Sequence, residues 1–352
     1  MKKKPSTTGG FFYVRLKPMA NIKNTYTRLN WLSIFFIFML FVIGGIVRST
    51  GSGMGCPDWP KCFGEYVPPT SEDKLPDDYQ EIFKEQRIKK TERFIHVLNL
   101  LGFTEKAEEI AAINSQNNTH SFNVIKAYVE YINRLWGAVT GLIVFLCFLA
   151  SLSYFKANRY VFIYSLLGFL AVFINALLGA VVVNSNLIGG IVTAHFIAAF
   201  ASIFFFILAR NKLKQEVNHQ YESKVKILAL FLLFIVLVQV VLGAELRELY
   251  DLLLGSKSFQ EKSEAFAPTF QIHGVVGLLT LVLSIYQWIM HPKDSLLSKY
   301  IKWILVLSVG QVLFGPLALI DETEAISKLF HISLGSGIFV LQFYICTLLF
   351  KR

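Results

Sequence analysis

Three histidines, His195, His273 and His331, lie inside long apolar stretches of a 352-residue chain. Neutral imidazole suits iron, and paired histidines on facing helices are a common way of holding heme. One histidine inside a membrane is as readily a hydrogen-bonded core residue, so the argument rests on all three together. His273 and His331 make a candidate bis-histidine site. When Gly137 is superposed on Gly277, Asn133 falls on His273, so the matching pair in the first half is Asn133 and His195. Glu130 stands one turn before Asn133 and shares its helix face. A carboxylate buried beside a cofactor is a candidate proton acceptor. Its plainer alternatives are a salt bridge to Arg134 or an anchor at the membrane edge.

Other residues could support such a site. Arg48, Arg134 and Arg247 fall at helix ends, where a guanidinium is shaped to clamp heme propionates or to anchor the chain by snorkelling. Gly137, Gly274, Gly277, Gly335 and Gly337 would let a flat macrocycle approach the backbone, or serve close helix packing. His96, His120, His219 and His291 fall between the apolar stretches and are expected to be solvated. Cys56 and Cys62 share one outside loop at a spacing that can close a disulfide. Cys147 and Cys346 lie within apolar runs and read as packing.

The elements that must position these residues are membrane helices. The chain is 54% hydrophobic and 16% charged, its mean hydropathy is +0.51, and a crossing helix needs about 20 apolar residues. Eight spans are expected, near 29–48, 129–152, 159–183, 187–209, 225–245, 269–290, 300–320 and 327–350. The net charge of +10 does not imply a nucleic-acid partner. Lys and Arg gather before span one and after spans two, four, six and eight, as the positive-inside rule expects, so both termini are predicted inside. Residues 1–28 read as a basic cytoplasmic tail. Loop 49–127 lies outside; its start is rich in Gly and Pro and turns rather than winds. Residues 76–115 then suggest an amphipathic or exposed helix, capping the outer face or serving as a spacer. A second outside loop, 246–268, is shorter and polar.

The two halves of the chain repeat. Span one ends in Gly44-Gly45-Ile46-Val47-Arg48, and span five in Leu242-Gly243-Ala244-Glu245-Leu246-Arg247. Asn133 and His273 are 140 residues apart, whereas Gly179 and Gly315, like His195 and His331, are 136 apart. Four spans per half preserve orientation, so the repeats should be parallel about an axis along the membrane normal. The expected fold is an all-α integral membrane protein with eight transmembrane helices in two pseudo-twofold-related four-helix bundles.

The run Gly44-Gly45-Ile46-Val47-Arg48-Ser49-Thr50-Gly51-Ser52-Gly53-Met54-Gly55-Cys56-Pro57-Asp58-Trp59-Pro60-Lys61-Cys62, with Glu130-Tyr131-Ile132-Asn133-Arg134, resembles the heme A synthase family. The likeness extends through all eight spans. It implies a protein that oxidises the C8 methyl of heme O to the formyl group of heme A for terminal oxidases. It implies that His273 and His331 ligate a heme b cofactor, that residues 216–352 form the heme b half, and that residues 29–215 hold the substrate heme beside His195 and Asn133. It further implies that Glu130 is catalytic and that Cys56 and Cys62 are the family's first outside cysteine pair. Two positions depart from the pattern. The family has His where this chain has Asn133, and the second outside cysteine pair is absent from loop 246–268.

Expected partners are heme O, heme O synthase, an electron acceptor and the lipid bilayer, with a second copy of the chain as a further candidate. The expected location is the inner membrane of a bacterium. Heme O carries a farnesyl-derived tail, and each buried CH₂ is worth about 0.8 kcal/mol, so its natural solvent is the bilayer. The rival reading is a b-type heme electron-transfer membrane protein that does no chemistry on heme; a third is a heme chaperone or transporter. Glu130 favours the enzyme, since electron transfer alone needs no carboxylate there, and Asn133 favours the rivals.

Overall fold

Inside a bilayer the peptide groups of an apolar run find no water, and winding them into a helix satisfies them within the segment. The computed structural model follows this rule. It describes residues 20–100, 102–105, 107, 108, 111, 121–184, 189–213, 221–253, 259–291, 297–319 and 323–350. Nine long helices lie there: α1 (Ala20–Ser49), α2 (Tyr79–Leu100), α3 (Val124–Ser151), α4 (Arg159–Asn184), α5 (Gly189–Asn211), α6 (Ser223–Leu253), α7 (Phe259–Met290), α8 (Ser298–Leu317) and α9 (Glu324–Leu349). All but α2 are long and apolar enough to cross a membrane, so the chain is an integral membrane protein with eight candidate spans among the described residues. The basic tail before Ala20, His120, His219, Asp321, Glu322 and the terminal Lys351 and Arg352 lie outside the described residues.

The helices pack as two rings of four. In the first half α1 packs on α3, α3 on α4, α4 on α5, and α5 back on α1. The second half repeats this with α6 on α7, α7 on α8, α8 on α9, and α9 on α6. Between the halves α1 meets α9, α6 meets α5, and α5 meets α9. The spacing of 140 residues that joins Asn133 to His273 also joins the buried positions Thr140 to Thr280 and Val144 to Ser284. Aromatic rings fill the seam between halves. Phe200 meets Phe339 edge-on at 4.6 Å, and Phe204 stacks on Phe343 at 3.7 Å. The outward faces carry large apolar side chains such as Leu142, Phe173, Ile227, Val275 and Val282, which lipid rather than water must cover. Hydroxyls inside the helices return to their own backbones: Ser33 donates to the Leu29 carbonyl at 2.9 Å and Thr280 to that of Val276 at 2.9 Å, as apolar surroundings require.

Two sequence expectations change and one is met. The polar stretch 246–268 is largely helical, because α6 runs on to Leu253 and α7 starts at Phe259. Its Glu, Leu and Arg residues are good helix formers, and Pro268 is accommodated inside α7. The expected helix within 76–115 appears as α2, which leans on α4 and exposes Val97 and Leu100. His291 is not solvated: it is 3% exposed, tucked at the end of α7 with Nδ1 2.6 Å from the Trp288 carbonyl.

Candidate functional site

Glu130 and the loop that follows α1 form one unit. Gly55 rests directly on the first turn of α3: a Cβ there would lie 2.3 Å from the Lys126 carbonyl oxygen, so no larger residue fits. This contact delivers the next amide, that of Cys56, to Oε2 of Glu130 at 2.8 Å. The other carboxylate oxygen pairs with Nη2 of Arg134. Nη1 of Arg134 donates to the carbonyls of Asp58 at 2.8 Å and Lys61 at 2.7 Å. Asp58 closes the turn by accepting from the amides of Phe63 at 2.7 Å and Gly64 at 3.0 Å. Cys56 and Cys62 are joined by a disulfide and share a small core with Phe63, Tyr79 and Ala127. The salt bridge to Arg134, the plainer alternative for Glu130, is therefore present. It involves a carboxylate only 3% exposed, and Arg134 is directed at loop carbonyls.

This arrangement has a direct chemical consequence. Thiol labelling under denaturing, non-reducing conditions should modify the free Cys147 and Cys346 and leave Cys56 and Cys62 untouched until reductant is added. Full labelling of all four without reductant would show that the pair is not bonded.

The histidines meet in the second ring. His273 on α7 and His331 on α9 face one another across it with ring centroids 5.9 Å apart. Two metal–nitrogen bonds of about 2 Å, with about 1 Å from each nitrogen to its ring centre, would separate the centres of two imidazoles on one metal by about 6 Å. The pair thus fits a heme iron between the rings. Among the described residues no group of three or more His, Cys, Asp or Glu could hold a bare ion. Two imidazoles suit a macrocycle that supplies its own ring nitrogens.

Each ring is held by a device that sequence reasoning missed. Gln239 on α6 donates from Nε2 to the His273 carbonyl at 3.0 Å, with the His273 Nε2 at 3.3 Å. Gln311 on α8 donates to the His331 carbonyl at 2.5 Å. Each amide sits over the glycine one turn beyond its histidine: a Cβ on Gly277 would come 3.1 Å from Gln239 Nε2, and one on Gly335 2.8 Å from Gln311 Nε2. The rings in turn sit over the glycine one turn beyond the amide. A Cβ on Gly243 would be 3.1 Å from Cε1 of His273, and one on Gly315 3.4 Å from Cε1 of His331. The signal was legible as an amide and a glycine four residues apart on α6 and α8. Gly277 and Gly335 are thus covered by side chains, Gly337 packs on Leu307, and Gly137 and Gly274 face open space.

The first ring is less regular. His195 on α5 lies against Gly179 of α4, where a Cβ would come 3.2 Å from Cε1. Asn133 is half-buried on α3, across the ring from α5. Nδ1 of His195, His273 and His331 is buried without a hydrogen bond of good geometry; the carbonyls of Asn175 and Gln311 approach the first and the last. An imidazole with Nδ1 turned to the backbone presents Nε2 to a metal. Near the C-terminal ends of α1 and α6, Arg247 reaches the Arg48 carbonyl at 3.4 Å and lies by Tyr250, 5.4 Å from the ring. Tyr250 donates to Glu324 at 3.0 Å, and Glu324 pairs with Lys328. Lys328 stands three residues before His331, as Glu130 stands before Asn133. Glu and Lys four residues apart in a helix are the usual signature of such a pair.

A model of the family COX15-CtaA, described as cytochrome oxidase assembly protein, matches residues 27–97 and 100–343. The heme A synthase of Rickettsia prowazekii (strain Madrid E) is 24% identical over 323 residues, which cover 89% of this chain and 88% of that protein. The heme A synthase of Orientia tsutsugamushi (strain Boryong) is 27% identical over 136 residues, 37% of this chain and 31% of that protein. That of Shewanella oneidensis is 28% identical over 75 residues, 20% of this chain and 22% of that protein. The matched stretches thus span under a third of the last two relatives and most of the Rickettsia protein.

Proposed function

The chain belongs to the COX15-CtaA family of cytochrome oxidase assembly proteins, and on that premise we propose that it is a heme A synthase, an oxidoreductase that converts the C8 methyl of heme O to a formyl group. The observation that carries the reading is the opposed His273 and His331 pair at 5.9 Å, set beside a second, unequal site that has one histidine and a buried carboxylate. The residue pair fits a resident heme b, which when bound would supply one-electron transfer. His195 then holds the substrate heme from α5, with Asn133 on the opposite side and Glu130 one turn outward.

The protein's part is to bind, orient and move protons. Water is the oxygen source: each hydroxylation of the methyl carbon forms one C–O bond and releases two electrons and two protons. The electrons leave to an acceptor of unassigned identity. Two hydroxylations give a hydrate, which loses water to the aldehyde. Glu130 is the base that takes a proton near the methyl carbon; to do so its pairing with Arg134 loosens, and Arg134 keeps its two loop carbonyls. Arg48, Arg247 and Lys328 are disposed at the outer mouth to meet propionates, while the guanidinium of Arg134 serves the loop. The division into a tail over 1–28, a substrate half over 29–215 and a heme b half over 216–352 belongs to this reading, as do cytoplasmic termini in a bacterial inner membrane and heme O synthase as supplier.

Co-expression with a source of heme O, followed by heme extraction and chromatography, should yield heme A. Recovery of heme b and heme O alone would overturn the proposal. That result would favour a b-type electron-transfer protein, a reading supported by Asn133 at a ligand position and by the purely structural bonds that Glu130 already makes.

A further inference from the structure

The two rings contain four corners where an odd span meets the following even span; two share one construction, and a third repeats its histidine–glycine contact. At α6–α7, Gln239 and Gly243 face His273 and Gly277. At α8–α9, Gln311 and Gly315 face His331 and Gly335. At α4–α5, Gly179 faces His195, and Asn175 stands four residues before Gly179 as Gln311 stands before Gly315, with its backbone carbonyl approaching the His195 ring. The amide and its glycine are one helical turn apart, as are the histidine and its small residue, so each side chain fills the hollow left by the other helix.

The fourth corner, α1–α3, has lost both partners together. Leu40 stands where the amide should be, four residues before Gly44, and Asn133 stands where the histidine should be, four before Gly137. Leu40 cannot donate to a carbonyl. A Cβ on Gly44 or on Gly137 would meet nothing within 4 Å, whereas the corresponding Gly243 and Gly277 are each filled by a side chain at 3.1 Å. The amide and the imidazole are thus absent from the same corner. An amide oxygen is also a poorer partner for iron than imidazole is.

We infer that Gln239 and Gln311 are positioning residues that hold His273 and His331 in ligating orientation, and that the Leu40–Asn133 corner does not ligate, leaving the first-half site with one protein ligand, His195, and one face open to small exogenous ligands. This rests on the reading that both halves hold heme. The open face lies on the side of α3 that carries Glu130, one turn away, so the space left by the lost ligand adjoins the proposed base.

The test uses the purified full-length protein carrying its hemes. Absorption and electron paramagnetic resonance spectra should show one low-spin and one high-spin heme. Added imidazole or cyanide should convert the high-spin heme alone. The double variant Leu40→Gln/Asn133→His should be low-spin at both sites without additions, and its affinity for added imidazole should fall at least about 10-fold, the lower range for loss of a metal-site partner. Asn133→His alone serves if the double variant does not fold, and should give a partial high-spin to low-spin shift. Gln311→Leu should leave His331 present yet weaken the low-spin signal of the second half. Two low-spin hemes in the unaltered protein that ignore imidazole, or an unchanged high-spin signal in both position-133 variants, would overturn the inference. Failure of the underlying reading is separate: it appears as a protein without heme, or as a low-spin signal that survives loss of His331.

Discussion

Replacing His273 or His331 with alanine should abolish the low-spin b-type spectrum of the second half and leave the first-half heme in place. The two rings are 5.9 Å apart and come from helices that sit across the ring from one another, joined through α8. Among the described residues, the amides of Gln239 and Gln311 bond to the pair and are engaged with the histidine carbonyls. Disturbing a hydrogen-bond partner of a metal-bound histidine already costs about 10–100-fold in affinity, and loss of the ligand itself should exceed this. The fold should tolerate the change. Each histidine rests on a glycine, so alanine leaves a small cavity rather than a clash, and the helix seams rest on aromatic pairs such as Phe200–Phe339. Heme content and low-spin absorption measured on detergent-purified variants, with helicity as the folding control, decide it. An unchanged spectrum in both variants would mean that the cofactor is held elsewhere.

The eight spans and the repeat were legible because apolar length and residue offsets are one-dimensional quantities. The histidine pair was legible for the same reason, since the offsets of 136 and 140 residues align His331 with His195 and His273 with Asn133. What escaped was pairing between helices. Gln239 and Gln311 look like ordinary polar residues in apolar runs until α6 is laid on α7 and α8 on α9, when each amide finds a carbonyl and a glycine. The environment of Glu130 escaped for a similar reason: its bond to the Cys56 amide joins residues 74 apart in the chain, and only the seating of Gly55 on α3 brings them together. His291 was misplaced because a residue at a helix end can turn inward as easily as outward, and neighbours such as Trp288 decide which.

Changing Glu130 to Gln should leave the protein folded and heme-loaded but stop the reaction at heme O or at the alcohol. Glutamine has the same size, and its amide oxygen can still accept from the Cys56 amide, now at 2.8 Å from the carboxylate. Arg134 would lose its ionic partner yet keep the Asp58 and Lys61 carbonyls at 2.8 and 2.7 Å. Truncating one partner of a buried pair costs roughly 3–5 kcal/mol, and retaining the hydrogen-bonding shape should keep the cost below that. Losing a general base costs about 10²–10⁴-fold in rate, which is larger than any effect expected from a slightly loosened loop. The two roles of Glu130, anchoring the loop and accepting a proton, separate in a second variant. Arg134→Gln disturbs the same loop but leaves the carboxylate, so a purely structural role predicts equal loss in both variants. A catalytic role predicts that Glu130→Gln loses heme A formation while Arg134→Gln retains a measurable fraction of it. The measurement is the ratio of heme A to heme O in extracts, normalised to heme bound, with thiol labelling of Cys56 and Cys62 as the report on loop integrity. Heme A formation at the unaltered protein's level in Glu130→Gln would remove Glu130 from the chemistry and leave it as the residue that ties the Cys56–Cys62 loop to α3.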